Sequence, residues 1–77
     1  MKCTILHETQ GRMRVHLCCR RMTLEQADVL EYYLRAVDGV QSVKVYDRTR
    51  DAVVLYEAER GNIIRALAQF SFAKAEA

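Results

Sequence analysis

Two adjacent cysteines, Cys18 and Cys19, stand in "VHLCCRRMT" between a stretch of alternating polarity and a stretch with helical spacing. Thiolates ligate soft and borderline cations such as Cu(I) and Zn(II). His16 and Met22 lie near enough in the chain to add a third ligand. Arg20, Arg21 and a helix N-terminus near Thr23 would lower the pKa of a neighbouring thiol. Successive side chains of an extended segment point to opposite faces, so Cys18 is expected outward with His16 and Cys19 toward the packed side. Two readings of the pair follow. One is a metal-responsive site built from Cys18, Cys19, His16 and Met22; the other is unreactive thiols in a loop. Cys3 is expected to pack as a small hydrophobe.

The arginines form the second set. Residues 1–22 carry Lys2, Arg12, Arg14, Arg20 and Arg21 against Glu8 alone, while the rest of the chain leans acidic, within a net charge of +2. Such a basic end attracts an acidic protein surface, an anionic lipid face or phosphate. A solvated charged face is the plainer alternative. Catalysis is not expected. There is no Gly-rich phosphate loop, metal-ligand helix or nucleophile elbow. Cys18 and His16, two apart on one strand face, have nothing to orient the imidazole.

The elements that must position these residues are legible from spacing. "KCTILHETQGRMRVHLC" reads as two strands around a three-residue loop, Thr9-Gln10-Gly11, with Gly11 supplying the left-handed position. That register pairs His7 with Met13, Ile5 with Val15 and Cys3 with Leu17. It sets His7 and His16 on opposite faces, so they would not share an ion. Thr23 and Gln26 match a capping box. Leu24, Ala27, Leu30, Leu34 and Val37 make one helical stripe, which Gly39 is placed to end in a left-handed cap. "VQSVKVYDRTRDAVVLYE" gives two strands around the polar turn "DRTRD". A second helix begins near Gly61 or Asn62 and shows Ile63, Ile64, Leu67 and Phe70 on its apolar face.

The chain of 77 residues is 51% hydrophobic, has no proline and is the size of one domain. Residues 1–72 are expected to form that domain and 73–77 a frayed tail leading into a longer protein. An odd count of 3 cysteines argues against a disulfide framework and for a reducing compartment. Met1–Ile5 lacks the apolar core of a signal peptide. No stretch reaches the roughly 18 apolar residues of a membrane-spanning helix. The order ββαββα implies an α+β, ferredoxin-like two-layer sandwich with both helices on one face of an antiparallel sheet. That fold ends in a fourth strand beside the first; none follows Phe72, so Lys2–His7 is expected to fill that edge. Sheets of this kind can stack RNA bases on aromatic side chains. The chain lacks an aromatic-rich ribonucleoprotein motif, so nucleic acid is not expected as a partner.

"HETQGRMRVHL", with its Gly11-Arg12-x-Arg14 strand start, and "GVQSVKVYDRTRDAVVLYE" after an amphipathic helix together resemble heavy-metal-associated domains. The more specific resemblance is to a divergent branch at the N-terminus of heavy-metal-translocating P-type ATPases. It covers nearly the whole chain. It implies a soluble, non-enzymatic module on the cytoplasmic side of the cell membrane, attached to the membrane only through its parent pump. The implied partners are the pump's other cytosolic domains, contacted through Arg12, Arg14, Arg20 and Arg21, and a metallochaperone. The better-known branch holds metal through Cys-x-x-Cys in the first strand–helix loop. This chain has Cys18-Cys19 there instead. A stand-alone, chaperone-like metal-binding module is the alternative.

Overall fold

The computed structural model describes residues 1–72; the expected tail 73–77 lies outside the described residues. Alternation produces the first hairpin, β1 (Cys3–Thr9) and β2 (Arg12–Leu17). Met13, Val15 and Leu17 of β2 are fully buried, while Arg14 and His16 face the other way. Helix α1 (Leu24–Arg35) follows, then β3 (Val40–Tyr46), β4 (Asp51–Tyr56) and α2 (Arg60–Gln69). The sheet is antiparallel throughout, in the order β1-β2-β4-β3. This is an α+β two-layer arrangement of ferredoxin-like kind. β1, contributed by the N-terminus, occupies the edge beside β2, where the usual fold places its last strand.

The first hairpin corrects the expected register. Its loop has two residues, Gln10 and Gly11, because Thr9 pairs with Arg12. His7 therefore lies opposite Arg14, not Met13, and shares the outer face with Arg14 and His16. An irregularity between Ile5 and His7 absorbs the extra residue, so Ile5↔Val15 and Cys3↔Leu17 stand as expected. The shift also turns Glu8 toward the helix side, where it pairs with Arg60 at the start of α2. Gly11 has φ 82°, and a Cβ there would come 3.3 Å from the Tyr56 carbonyl.

Thr23 and Gln26 form the capping box, with Gln26 N–H donating to Thr23 Oγ1 at 3.1 Å and Thr23 N–H to Gln26 Oε1 at 3.0 Å. Ala27, Leu30 and Leu34 are buried against the sheet. Leu24 departs from the expected stripe: it is 66% exposed and lines an open groove with Lys44, Tyr46 and Arg48. Gly39 does not cap α1, whose C-cap is Ala36. Ala36 and Val37 N–H groups satisfy the Tyr33 and Leu34 carbonyls in a tightened last turn. Gly39, at φ 86°, instead turns the chain into β3 so close to β4's end that a Cβ would meet Ala58 Cβ at 2.5 Å.

The second helix starts at Arg60, just before the expected Gly61 or Asn62, and buries Ile63, Ala66 and Leu67. Ile64 is only half-buried. Phe70 stacks between Tyr33 and Phe72, each ring centroid 4.8 Å away, and Tyr33 Oη donates to the Ala66 carbonyl at 2.9 Å. These contacts tie the two helices together. The Met1 amino group donates to the carbonyls of Leu67, Ala68 and Phe70 at 3.1, 2.9 and 2.7 Å. Acceptors at a helix C-terminus are thereby satisfied by a positive charge, which the dipole favours.

Candidate functional site

The face of the sheet opposite the helices carries a closed charge cluster. Pairing of β2 with β4 sets His16 opposite Asp51 and Arg14 opposite Val53. Asp51 Oδ1 lies 2.9 Å from His16 Nδ1, and Arg14 Nη2 donates to Asp51 Oδ2 at 3.0 Å. Asp51 is 7% exposed although it sits on the open face, because its neighbours cover it. The Arg14 Cζ and Lys44 Nζ atoms stand 6.0 and 5.9 Å from the centroid of the Tyr46 ring, within cation–π reach. The His16 hydrogen bond, with further help from Arg14, holds the Asp51 carboxyl below its ordinary range, while burial works in the opposite direction. Both oxygens of Asp51 are engaged, and the imidazole of His16, which the sequence left without an orienting group, is oriented by Asp51 through Nδ1, with Nε2 in no hydrogen bond among the described residues.

The loop from Cys18 to Thr23 is held from the β3–β4 turn. Arg50 adopts φ 61°, and its Nη1 donates to the carbonyls of Cys19 and Arg20 at 2.8 and 2.7 Å. Its own carbonyl accepts from Leu17 N–H at 2.7 Å, and its N–H donates to the Tyr46 carbonyl at 2.8 Å. A non-glycine residue in this conformation costs about 1 kcal/mol or more. Here the four hydrogen bonds impose it.

On this loop the vicinal cysteines differ in exposure in the sense that alternation predicts, although both lie past the end of β2 and Cys19 N–H turns back to the Leu17 carbonyl. Cys18 is exposed, with Sγ 3.7 Å from Thr4 Oγ1, and Cys19 packs half-buried against the core. Cys3 is half-buried as well, and burial, reinforced by the nearby Cys18, raises the pKa of its thiol, while the Met1 amino group works in the opposite direction. Of the other candidate ligands, Met22 belongs to the core and His16 is engaged with Asp51. Among the described residues no group of three or more His, Cys, Asp or Glu side chains is arranged to hold a metal ion. His7 and His16 do share a face, as the corrected register requires.

The four arginines of the expected docking face fall in three places. Arg12 sits beside the first hairpin turn, opposite Thr9 and Leu55. Arg14 is paired with Asp51. Arg20 and Arg21 lie at the other end of β2, where they line one cleft with Met22, Asp47, Arg48 and Arg50. Sequence reading passed over Asp51 and Arg50, both within "DRTRD". The signal for Asp51 was its spacing: with Val53 and Leu55 it continues the outward alternation of β4.

No helix among the described residues is long and apolar enough to cross a membrane. Comparison of the chain with protein-family models, with curated proteins and with solved structures finds no match.

Proposed function

We propose that this chain is a docking and regulatory domain on the cytosolic side of a heavy-metal P-type ATPase, and that it acts by contact rather than by carrying metal. The observation that carries the contact reading is the Arg50 clamp. It gives the Cys18–Thr23 loop a fixed shape and leaves Arg20 and Arg21 outward. The ferredoxin-like layout supports the family reading, as do the structural roles of Gly11, Arg14 and Gly39, three of the residues that carry the resemblance. The packing of Cys19 against the core while Cys18 is exposed favours contact over metal carriage, since two sulfurs must face one ion to share it. Any metal response passes through the exposed Cys18 thiol.

Two measurements test this. The reduced chain is titrated anaerobically with Cu(I) and Zn(II) against a competing chelator, beside Cys18→Ser/Cys19→Ser. The expected result is no tight site beyond that of the variant; one-to-one binding lost in the variant would make the chain a metal carrier. The chain is also offered to separately expressed cytosolic domains of a heavy-metal P-type ATPase. Salt-sensitive binding weakened by Arg20→Ala/Arg21→Ala is expected. Absence of binding to every cytosolic domain would remove the docking reading.

A further inference from the structure

The cleft between the Cys18–Thr23 loop and the Asp47–Arg50 turn gathers four arginines. It is open to solvent, has a volume of about 440 Å3, and is lined by Arg20, Arg21, Arg48 and Arg50 with Asp47 as its one carboxylate. Arg20, Arg21 and Arg48 are exposed, and none takes part in an ion pair among the described residues. Of the other arginines, Arg14, Arg35 and Arg60 each hold a carboxylate and Arg65 reaches Asn62, while Arg12, also exposed and outside every ion pair among the described residues, stands apart at the far end of β2.

Like charges gathered around one cleft repel one another, and folding alone does not repay that. Here the gathering is enforced. Arg50 is held in a left-handed conformation by backbone hydrogen bonds to Tyr46 and Leu17, and one nitrogen of its guanidinium fixes the Cys19 and Arg20 carbonyls. The clamp thus sets the backbone from which Arg20 and Arg21 project, and Arg50 itself lines the cleft. The basic residues are arginines throughout. A guanidinium fork matches the paired oxygens of a phosphoryl group and makes short, charge-assisted hydrogen bonds to it. The N-terminus of α1 is not part of the site, since no residue of α1 lines the cleft.

We propose that this cleft is a phosphoryl-binding site, in which Arg20, Arg21 and Arg48 grip the oxygens of a phosphate group and Arg50 holds the loop that presents them. The site requires no metal and no transporter, so its failure leaves the docking reading to its own binding test.

The full chain is titrated with inorganic pyrophosphate at about 0.15 M salt, where long-range attraction is screened, and backbone amide shifts are followed by NMR. A parallel arm measures sedimentation with phosphatidylcholine vesicles with and without phosphatidylglycerol. Saturable shifts confined to Arg20–Met22 and Asp47–Arg50 are expected, weakened roughly tenfold or more by Arg20→Ala/Arg21→Ala/Arg48→Ala. Arg65→Ala should leave them unchanged. Arg50→Gly, which suits the positive φ, should weaken binding while the fold persists. Binding of pyrophosphate identifies a free phosphate ligand; binding of the anionic vesicles alone, lost in the triple variant, identifies a lipid headgroup. Shifts scattered over all basic residues, no binding in either arm, or tighter binding of a hexaglutamate peptide than of pyrophosphate would overturn the proposal.

Discussion

Two groups of arginines in this small domain have opposite fates. On the open face of the sheet, Arg14 shares Asp51 with His16, and the carboxylate is almost hidden beneath them. At the end of the same strand, Arg20 and Arg21 join Arg48 around a cleft, with no carboxylate among the described residues bound to any of them. The first group is spent on holding β2 to β4. The second is held in place by Arg50 and remains available. Charge that is neutralised internally serves the fold, and charge that is positioned without being neutralised serves a partner.

Asp51→Ala gives the sharpest break in that comparison. It removes the acceptor of two charge-assisted hydrogen bonds and leaves Arg14 and His16 facing each other. We expect a loss of about 2 kcal/mol, read as a lower urea midpoint. The figure is moderate because Arg14 and His16 retain access to water, with side chains 40% and 35% exposed. No change in midpoint would mean that the cluster does not hold the strands.

Acid titration sharpens the same point. The Asp51 carboxyl is depressed in the folded chain. Its contribution is therefore fully present above the ordinary carboxylate range near pH 4, and is lost as pH falls through the lower folded value. Wild-type stability should fall on acidification below about pH 4 more steeply than that of Asp51→Ala. Parallel curves would assign the acid sensitivity elsewhere.

Arg50→Gly has a smaller expected effect, about 1 kcal/mol. The clamp on the Cys19 and Arg20 carbonyls is lost, but glycine relieves the positive φ. Amide exchange from Cys18 to Met22 should rise while exchange in β2 and β4 changes little. A uniform rise would show that Arg50 supports the whole sheet. Arg20→Ala/Arg21→Ala should move stability least, within about 0.5 kcal/mol. A drop as large as that of Asp51→Ala would erase the distinction between the two groups.

Much of the scaffold was legible because it rests on local rules. Alternation marked β2, the Thr23/Gln26 box marked the start of α1, and Ala27, Leu30 and Leu34 marked its buried stripe. The difference in exposure between Cys18 and Cys19 has the sense that alternation predicts. The hairpin loop was harder. A two-residue turn with an irregularity near Leu6 and a three-residue turn without one both pair Ile5 with Val15. Spacing alone does not separate them, yet they place His7 and Glu8 on different faces. Leu24 fits the helical stripe by period but stays exposed beside Lys44 and Tyr46.

By itself the sequence determined which segments extend, which coil, and which side chains each strand and helix presents together, because those depend on neighbours within about four residues. Tertiary structure alone decided that Asp51 would meet His16 and Arg14, that Arg50 would reach the carbonyls of Cys19 and Arg20, and that Arg48 would join Arg20 and Arg21. The hydrogen bonds among these join residues 30 to 37 positions apart, and the cleft brings Arg48 to arginines nearly as distant in the chain. They exist only once β4 has paired with β2, and no local propensity encodes which strand lies beside which.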